Sequence, residues 1–305
     1  MRLRLAVAVV SSTLTLCSAA AQTAPHVDRG QLMRDLTALA APAMEGRRAG
    51  SPGGVRAREW IAGQFKAAGL TPAGTAGYLQ PFTTRDRIIT VAAANVIGRV
   101  AGTDPQAKTI VITAHYDHLG IRNGAVYHGA DDNASGVAAL LAAARHFAGN
   151  RPRHSMLFAA LDAEEIGHRG AAALLGANLV SRADIALNVN LDMVSRSDTN
   201  EIYAAGTSYS PWLKPFVEEV GQRAAVKILF GHDRPNPADR RDDWTNLSDH
   251  SEFHKAGLPF IYFGVEDHAD YHQPTDTTDR ITPRFFGDAA DVIVDALRTF
   301  DARLP

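Results

Sequence analysis

The sequence predicts an α/β domain with helices on both faces of a largely parallel sheet. Two observations carry that prediction. Beyond Ala92 short β-branched or apolar runs alternate with stretches of helical periodicity, and several runs end abruptly in acids and histidines. The chain has 305 residues, 46 % hydrophobic and 21 % charged, which is ordinary globular composition and enough length to bury one large core.

At the start of the chain, Arg2 and Arg4 precede an apolar stretch over 5–16 and the small residues Ser18, Ala19, Ala20 and Ala21. This reads as a secretory signal peptide cleaved near Ala21. The apolar stretch is shorter than the roughly 20 residues that span a bilayer, and Ser and Thr interrupt it. Cys17, the single cysteine, leaves with the signal. The mature protein, periplasmic or extracellular, is then held by its core without disulfides, and thiolate supplies neither a metal ligand nor a nucleophile. Without Arg2 and Arg4, 29 basic residues face 33 acidic ones, a formal charge near −4. That balance points to neither nucleic acid nor an anionic membrane surface as a partner.

Residues 22–305 read as one catalytic domain with a helical lead-in. Apolar residues recur at helical spacing over 29–39 and 54–68, separated by a loop with Pro42, Gly46, Gly50 and Gly53. Strands are expected over 109–114, 155–161, 185–191, 201–204 and 260–263, and helices over 136–147, 167–175, 212–224 and 284–300. The polar stretch 231–246 reads as an exposed loop.

Open α/β sheets carry their functional groups past the carboxyl ends of the strands. After Ala114 comes His115-Tyr116-Asp117-His118, where alternation along an extended chain puts Asp117 on the side of His115, placed to accept a hydrogen bond from the imidazole. Gly129 to Gly136 holds Asp131, Asp132 and Asn133 just before a helix. The segment serves as a helix cap, and its paired acids also offer a carboxylate able to bridge two cations. The run over 156–161 delivers Asp162-Ala163-Glu164-Glu165, in which one glutamate can ligate a metal while its neighbour accepts a proton from the attacking water. Asp192 closes another apolar run, and Tyr271-His272-Gln273-Pro274 supplies a second imidazole. Hard oxygen and imidazole donors recurring at successive strand ends favour a metal site.

In these motifs the chain resembles the M28 zinc aminopeptidases, over essentially its whole mature length. The resemblance begins at Met44-Glu45-Gly46-Arg47-Arg48 and Gly50-Ser51-Pro52-Gly53, and includes Ser248-Asp249-His250 and Tyr271 to Asp276 beside the motifs above. It implies a three-layer α/β/α zinc-exopeptidase fold with a mixed, mostly parallel sheet, two zinc ions and peptide substrates. Carried onto matching positions, it implies one metal at His115, Asp132 and Asp192 and another at Asp132, Glu165 and His272. Asp132 bridges the two and is followed by a cis peptide bond. Glu164 takes the place of the general base, Asp117 that of the residue orienting His115, and Tyr271 that of an oxyanion donor. Carboxypeptidases and glutaminyl cyclases share the fold, the cyclases commonly with one metal, and relatives that have lost ligands act as non-catalytic binding modules. Retention of every ligand position and of Glu164 favours a two-metal aminopeptidase among these. His250, Trp244 and Tyr209 are candidates both for pocket walls and for purely structural roles.

Overall fold

The computed structural model describes residues 25–234 and 242–305. The expected signal segment, with Cys17 and Ala21, lies outside them. No helix among the described residues is long and apolar enough to cross a membrane.

The lead-in consists of α1 (Arg29–Leu39), capped by the Asp28 side chain, and α2 (Pro52–Ala67), capped by Ser51. There follow β1 (Thr71–Pro72), β2 (Leu79–Asp86), β3 (Ile89–Val100), β4 (Thr109–His115), the small hairpin β5 (Gly120–Arg122) and β6 (Ala125–Tyr127), α3 (Gly136–Gly149), β7 (Met156–Leu161), α4 (Arg169–Gly176), β8 (Ile185–Leu191), β9 (Glu201–Ala205), α5 (Lys214–Gly221), β10 (Lys227–Leu229), α6 (His250–Lys255), β11 (Phe260–Gly264) and α7 (Pro283–Arg303). Among the described residues these strands form one nine-stranded sheet in the order β1-β3-β7-β4-β8-β11-β9-β10, with β2 paired to β3, and β5-β6 stand apart. The central strands β7, β4, β8 and β11 run parallel, whereas β3 and β9 pair antiparallel with their ends of that group. The sheet is therefore mixed, with a parallel centre.

Alternation along the buried strands sorts side chains to two faces. Ile110, Ile112 and Ala114 join the larger core under α1, α2, α3 and α7 with Leu36, Phe65, Leu140, Phe286 and Ile293. Val111 points the other way, to Leu157, Leu174 and Phe253 under α4 and α6. Helices thus cover both faces, in three layers. Between β4 and β8 on the second face lies a buried polar chain: Thr113 donates to Asn190 Oδ1 at 2.6 Å and Asn190 donates to Ser248 Oγ at 2.8 Å.

Several expectations need correction. The β2–β3 hairpin was absent from them: its strands are half-exposed and its tip carries Arg85, Asp86 and Arg87 beside Ile88, which is 94 % exposed. The helix expected over 212–224 is a 3₁₀ turn at Pro211–Leu213 followed by α5, and α6 was not expected. The stretch 231–246 is not simply an exposed loop. Residues 235–241 lie outside the description, but Trp244 is buried and stacks on His232 at 3.9 Å between centroids.

His250, also fully buried, donates from Nε2 to the Trp244 carbonyl at 2.9 Å and packs on Phe260. Burial lowers its pKa to about 3, from an ordinary value of 6.5. The fold holds it neutral while the unfolded chain takes up a proton below 6.5. Its contribution to stability is complete above 6.5 and is lost as pH falls toward 3, by a few kcal/mol over that window. Urea midpoints measured against pH are expected to fall less steeply across this window in His250→Gln than in the wild type.

Candidate metal centre

The ends of the parallel strands bring five segments together. His115 is the last residue of β4, Glu164 and Glu165 follow β7, Asp192 follows β8, His272 lies in the loop after β11, and Asp132 sits in the turn before α3. Two groups of ligand atoms result, each within 4.8 Å: His115, Asp132 and Asp192 in one, and His118, Asp132, Glu165 and His272 in the other. Asp132 belongs to both. Its Oδ1 lies 3.4 Å from His115 Nε2 and its Oδ2 3.0 Å from His272 Nε2. His115 Nε2 is also 3.3 Å from Asp192 Oδ1, and His272 Nε2 is 3.4 Å from Glu165 Oε2.

The turn holding Asp132 is fixed from several sides. The Asp132-Asn133 peptide bond is cis, as the resemblance implied. Asp276 accepts the backbone N–H groups of Asp131 and Asp132, and Asp131 accepts from both the backbone and the hydroxyl of Ser195. Asn133 donates to the Leu191 carbonyl and accepts from Gly136 N and Met193 N, which ties Asp132 to the strand end bearing Asp192. A Cβ on Gly136 would stand 2.3 Å from Asn133 Oδ1 and 2.4 Å from the Leu191 carbonyl, so only glycine lets the helix start this close to the strand.

Beneath the turn lies Arg47, fully buried. Its guanidinium donates to the carbonyls of Tyr116, Leu39, His128 and Gly129 at 2.7–2.8 Å, clamping the lead-in to the two loops that carry His115 and Asp132. Burial lowers its pKa to about 10, against the pull of Asp132 and Asp276, so it stays a cation at neutral pH. Arg47→Met removes the guanidinium from four carbonyls, three of them in buried contacts, and is expected to cost about 3 kcal/mol in chemical denaturation. Arg47→Lys recovers little of that loss, because one ammonium cannot reproduce the fork.

Asp117 differs from its expected role. The carbonyl of Asp117, not its carboxylate, meets His115 Nδ1 at 3.1 Å. The Nδ1–H donates there, which leaves Nε2 for the site. The Asp117 carboxylate stands 3.8 Å from that nitrogen and accepts the backbone N–H of Glu164 at 2.9 Å and of Glu165 at 3.4 Å. It therefore holds the turn that presents both glutamates.

His118 was not among the expected site residues, although the His-x-x-His spacing with His115 was visible. Its Nδ1–H donates to Glu165 Oε1 at 2.7 Å, which turns Oε2 toward His272. Asp249 is fully buried with neither carboxylate oxygen hydrogen-bonded among the described residues, and burial with the neighbouring Glu164 charge pushes its pKa up to about 7. Tyr271 stacks on His272 at 3.9 Å. Burial, together with the Asp132 and Asp192 charges, pushes its phenol well above the ordinary range. Tyr262, by contrast, spends its hydroxyl on the Asp192 carbonyl. Trp244 and His250 are buried as described, and the Tyr209 hydroxyl meets Thr245 Oγ1 at 3.1 Å. These three residues lie in neither ligand group.

The electrostatics are those of crowded anions. Burial alone would lower the His115 pKa, but Asp192 and Glu164 outweigh it and hold the imidazole well above its ordinary value. Burial would lower His272 too, yet its contacts with Asp132 and Glu165 raise it to about 10. Asp192 goes up to about 6, mainly by burial. Its Oδ1 is buried without a properly oriented hydrogen-bond donor among the described residues. Imidazole and carboxylate donors with an oxygen left over are a fit for zinc.

Fold and donor set together define an α/β protein with two adjoining groups of potential metal ligands at its parallel strand ends. The model of peptidase family M28 matches residues 95–297, and the chain belongs to that family. It is 26 % identical over 257 residues to a probable zinc metalloprotease of Leptosphaeria maculans, covering 72 % of this chain and 58 % of that protein. It is 30 % identical over 223 residues to aminopeptidase YwaD of Bacillus subtilis, covering 67 % and 44 %. The chain thus spans about half the length of the curated relatives it matches. Among solved structures, the glutaminyl cyclase of Fimbriiglobus ruber aligns with a TM-score of 0.71 at 20 % identity, covering 90 % of this chain and 95 % of that one, a likeness of fold.

Proposed function

We propose that the protein is an exported di-zinc aminopeptidase that removes residues from the amino ends of peptides. The observation that carries this reading is the Asp132 carboxylate, whose two oxygens are divided between two ligand groups, with the Glu164 charge acting on His115 and Asp192. His115, Asp132 and Asp192 would hold one zinc and Asp132, Glu165 and His272 the other, with Asp132 offering an oxygen to each group. When bound, the ions supply Lewis acidity, lowering the pKa of a nearby water and stabilising developing negative charge.

This chain's residues do the rest. Glu164 accepts the proton of the attacking water and delivers it to the departing amine. The carboxylates of Glu164 and Asp192 attract a free substrate amino group, which selects the first residue of a peptide. Tyr271, held neutral, offers its hydroxyl to the oxyanion. Residues 22–305 act as one catalytic unit behind the helical lead-in, and residues 1–21 direct export.

The test is hydrolysis of aminoacyl-nitroanilides with free and with acetylated amino groups, before and after chelation. Metal-dependent release from the free series alone is expected. Equal cleavage of acetylated substrates removes the aminopeptidase assignment. Cyclisation of a glutaminyl peptide without any hydrolysis replaces it with the cyclase.

A further inference from the structure

Glu164 is not a free side chain. Its Oε1 lies 3.2 Å from Nε2 of His168, four residues on, and His168 Nδ1 lies 2.8 Å from Ser251 Oγ on α6. The two side chains meet because the backbone between them closes into a turn: Gly167 N and His168 N both donate to the Glu164 carbonyl, at 2.7 and 2.9 Å. His168 then takes a left-handed conformation, φ 55° and ψ 32°, immediately before α4. That conformation is uncommon for a residue with a side chain. The chain Glu164–His168–Ser251 runs from the metal centre to a helix that carries none of the proposed ligands.

We infer that His168 is the positioning residue for the Glu164 general base, its Nε2–H donating to Glu164 Oε1 while the Ser251 hydroxyl donates to Nδ1. The serine fixes which nitrogen carries the proton when the ring is neutral. Glu164 is thereby held through one oxygen, and the other is free for the reacting proton. The groups facing the ring are Glu164 on its own turn, Asp249 ahead of α6, and Ser251 and Lys255 on α6. Burial would lower the His168 pKa, but the contact with Glu164 raises it.

This inference rests on the reading of Glu164 as the base, so its test has one arm that needs no activity. In the full-length mature chain, nitrogen-resolved NMR of the His168 ring, assigned by the signal lost in His168→Gln, is followed against pH in wild type and Glu164→Gln. The midpoint of His168 is expected to fall by about one pH unit or more in Glu164→Gln. An unchanged midpoint overturns the contact. In the kinetic arm, His168→Leu is expected to lower kcat about tenfold with KM within about twofold. His168→Gln, whose amide can still donate to Oε1, is expected to recover most of that loss. Should His168→Leu unfold, Ser251→Ala reads the same chain from its far end, with a loss of kcat expected and wild-type kcat overturning the relay. Wild-type kcat in a folded His168→Leu protein overturns the positioning role. A wild type that hydrolyses nothing removes the function proposed above and leaves the NMR arm to decide on the contact.

Discussion

Glu164→Gln is expected to lower kcat roughly 100- to 10,000-fold while the protein keeps both zinc ions and its fold. The amide has nearly the shape of the carboxylate but cannot accept the proton of the attacking water. Glu164 is outside both ligand groups, so its replacement leaves every proposed ligand in place. Its backbone N–H still donates to Asp117, so the turn that presents Glu165 is kept. Steady-state kinetics beside metal analysis of the same preparation make the check. A large kcat loss with metal retained assigns proton transfer to Glu164. Activity within tenfold of wild type moves the base elsewhere in the site.

Asp132→Asn is expected to empty both sites together and to abolish turnover. Asp132 Oδ1 faces the His115 group and Oδ2 the His272 group, so a neutral amide in its place weakens both at once. Asp192→Asn touches the His115 group alone and is expected to leave about one equivalent of zinc bound. Zinc content after dialysis distinguishes the two variants. Equal loss of one ion in both would mean that Asp132 serves a single metal.

The parallel centre of the sheet was legible because its strands read as short runs dominated by apolar and β-branched residues, even where Asn188 and Asn190 interrupt β8. Strand β8 matches its expected bounds, Ile185–Leu191, and β4 extends its own by one residue, to His115. The side chains past those runs were legible for a chemical reason: acids and imidazoles at buried strand ends have few other uses. The β2–β3 hairpin was not legible, since its exposed half carries Arg85, Asp86 and Arg87 and reads as loop. Nor was the clamp at Arg47, because its partners are carbonyl groups, which every residue has and no pattern marks. Asp117 shows a different limit. Alternation correctly placed it near His115, but it is the carbonyl that meets the imidazole, while the carboxylate accepts from the backbone of Glu164, a partner no sequence pattern marks.

Stepwise addition of zinc to chelated protein, with bound metal and nitroaniline release followed together, tests the paired centre most directly. Activity that rises to a plateau at two equivalents is the result predicted from the shared Asp132 carboxylate. Full activity at one equivalent, or two equivalents bound with no release from any free-amine substrate, would contradict it.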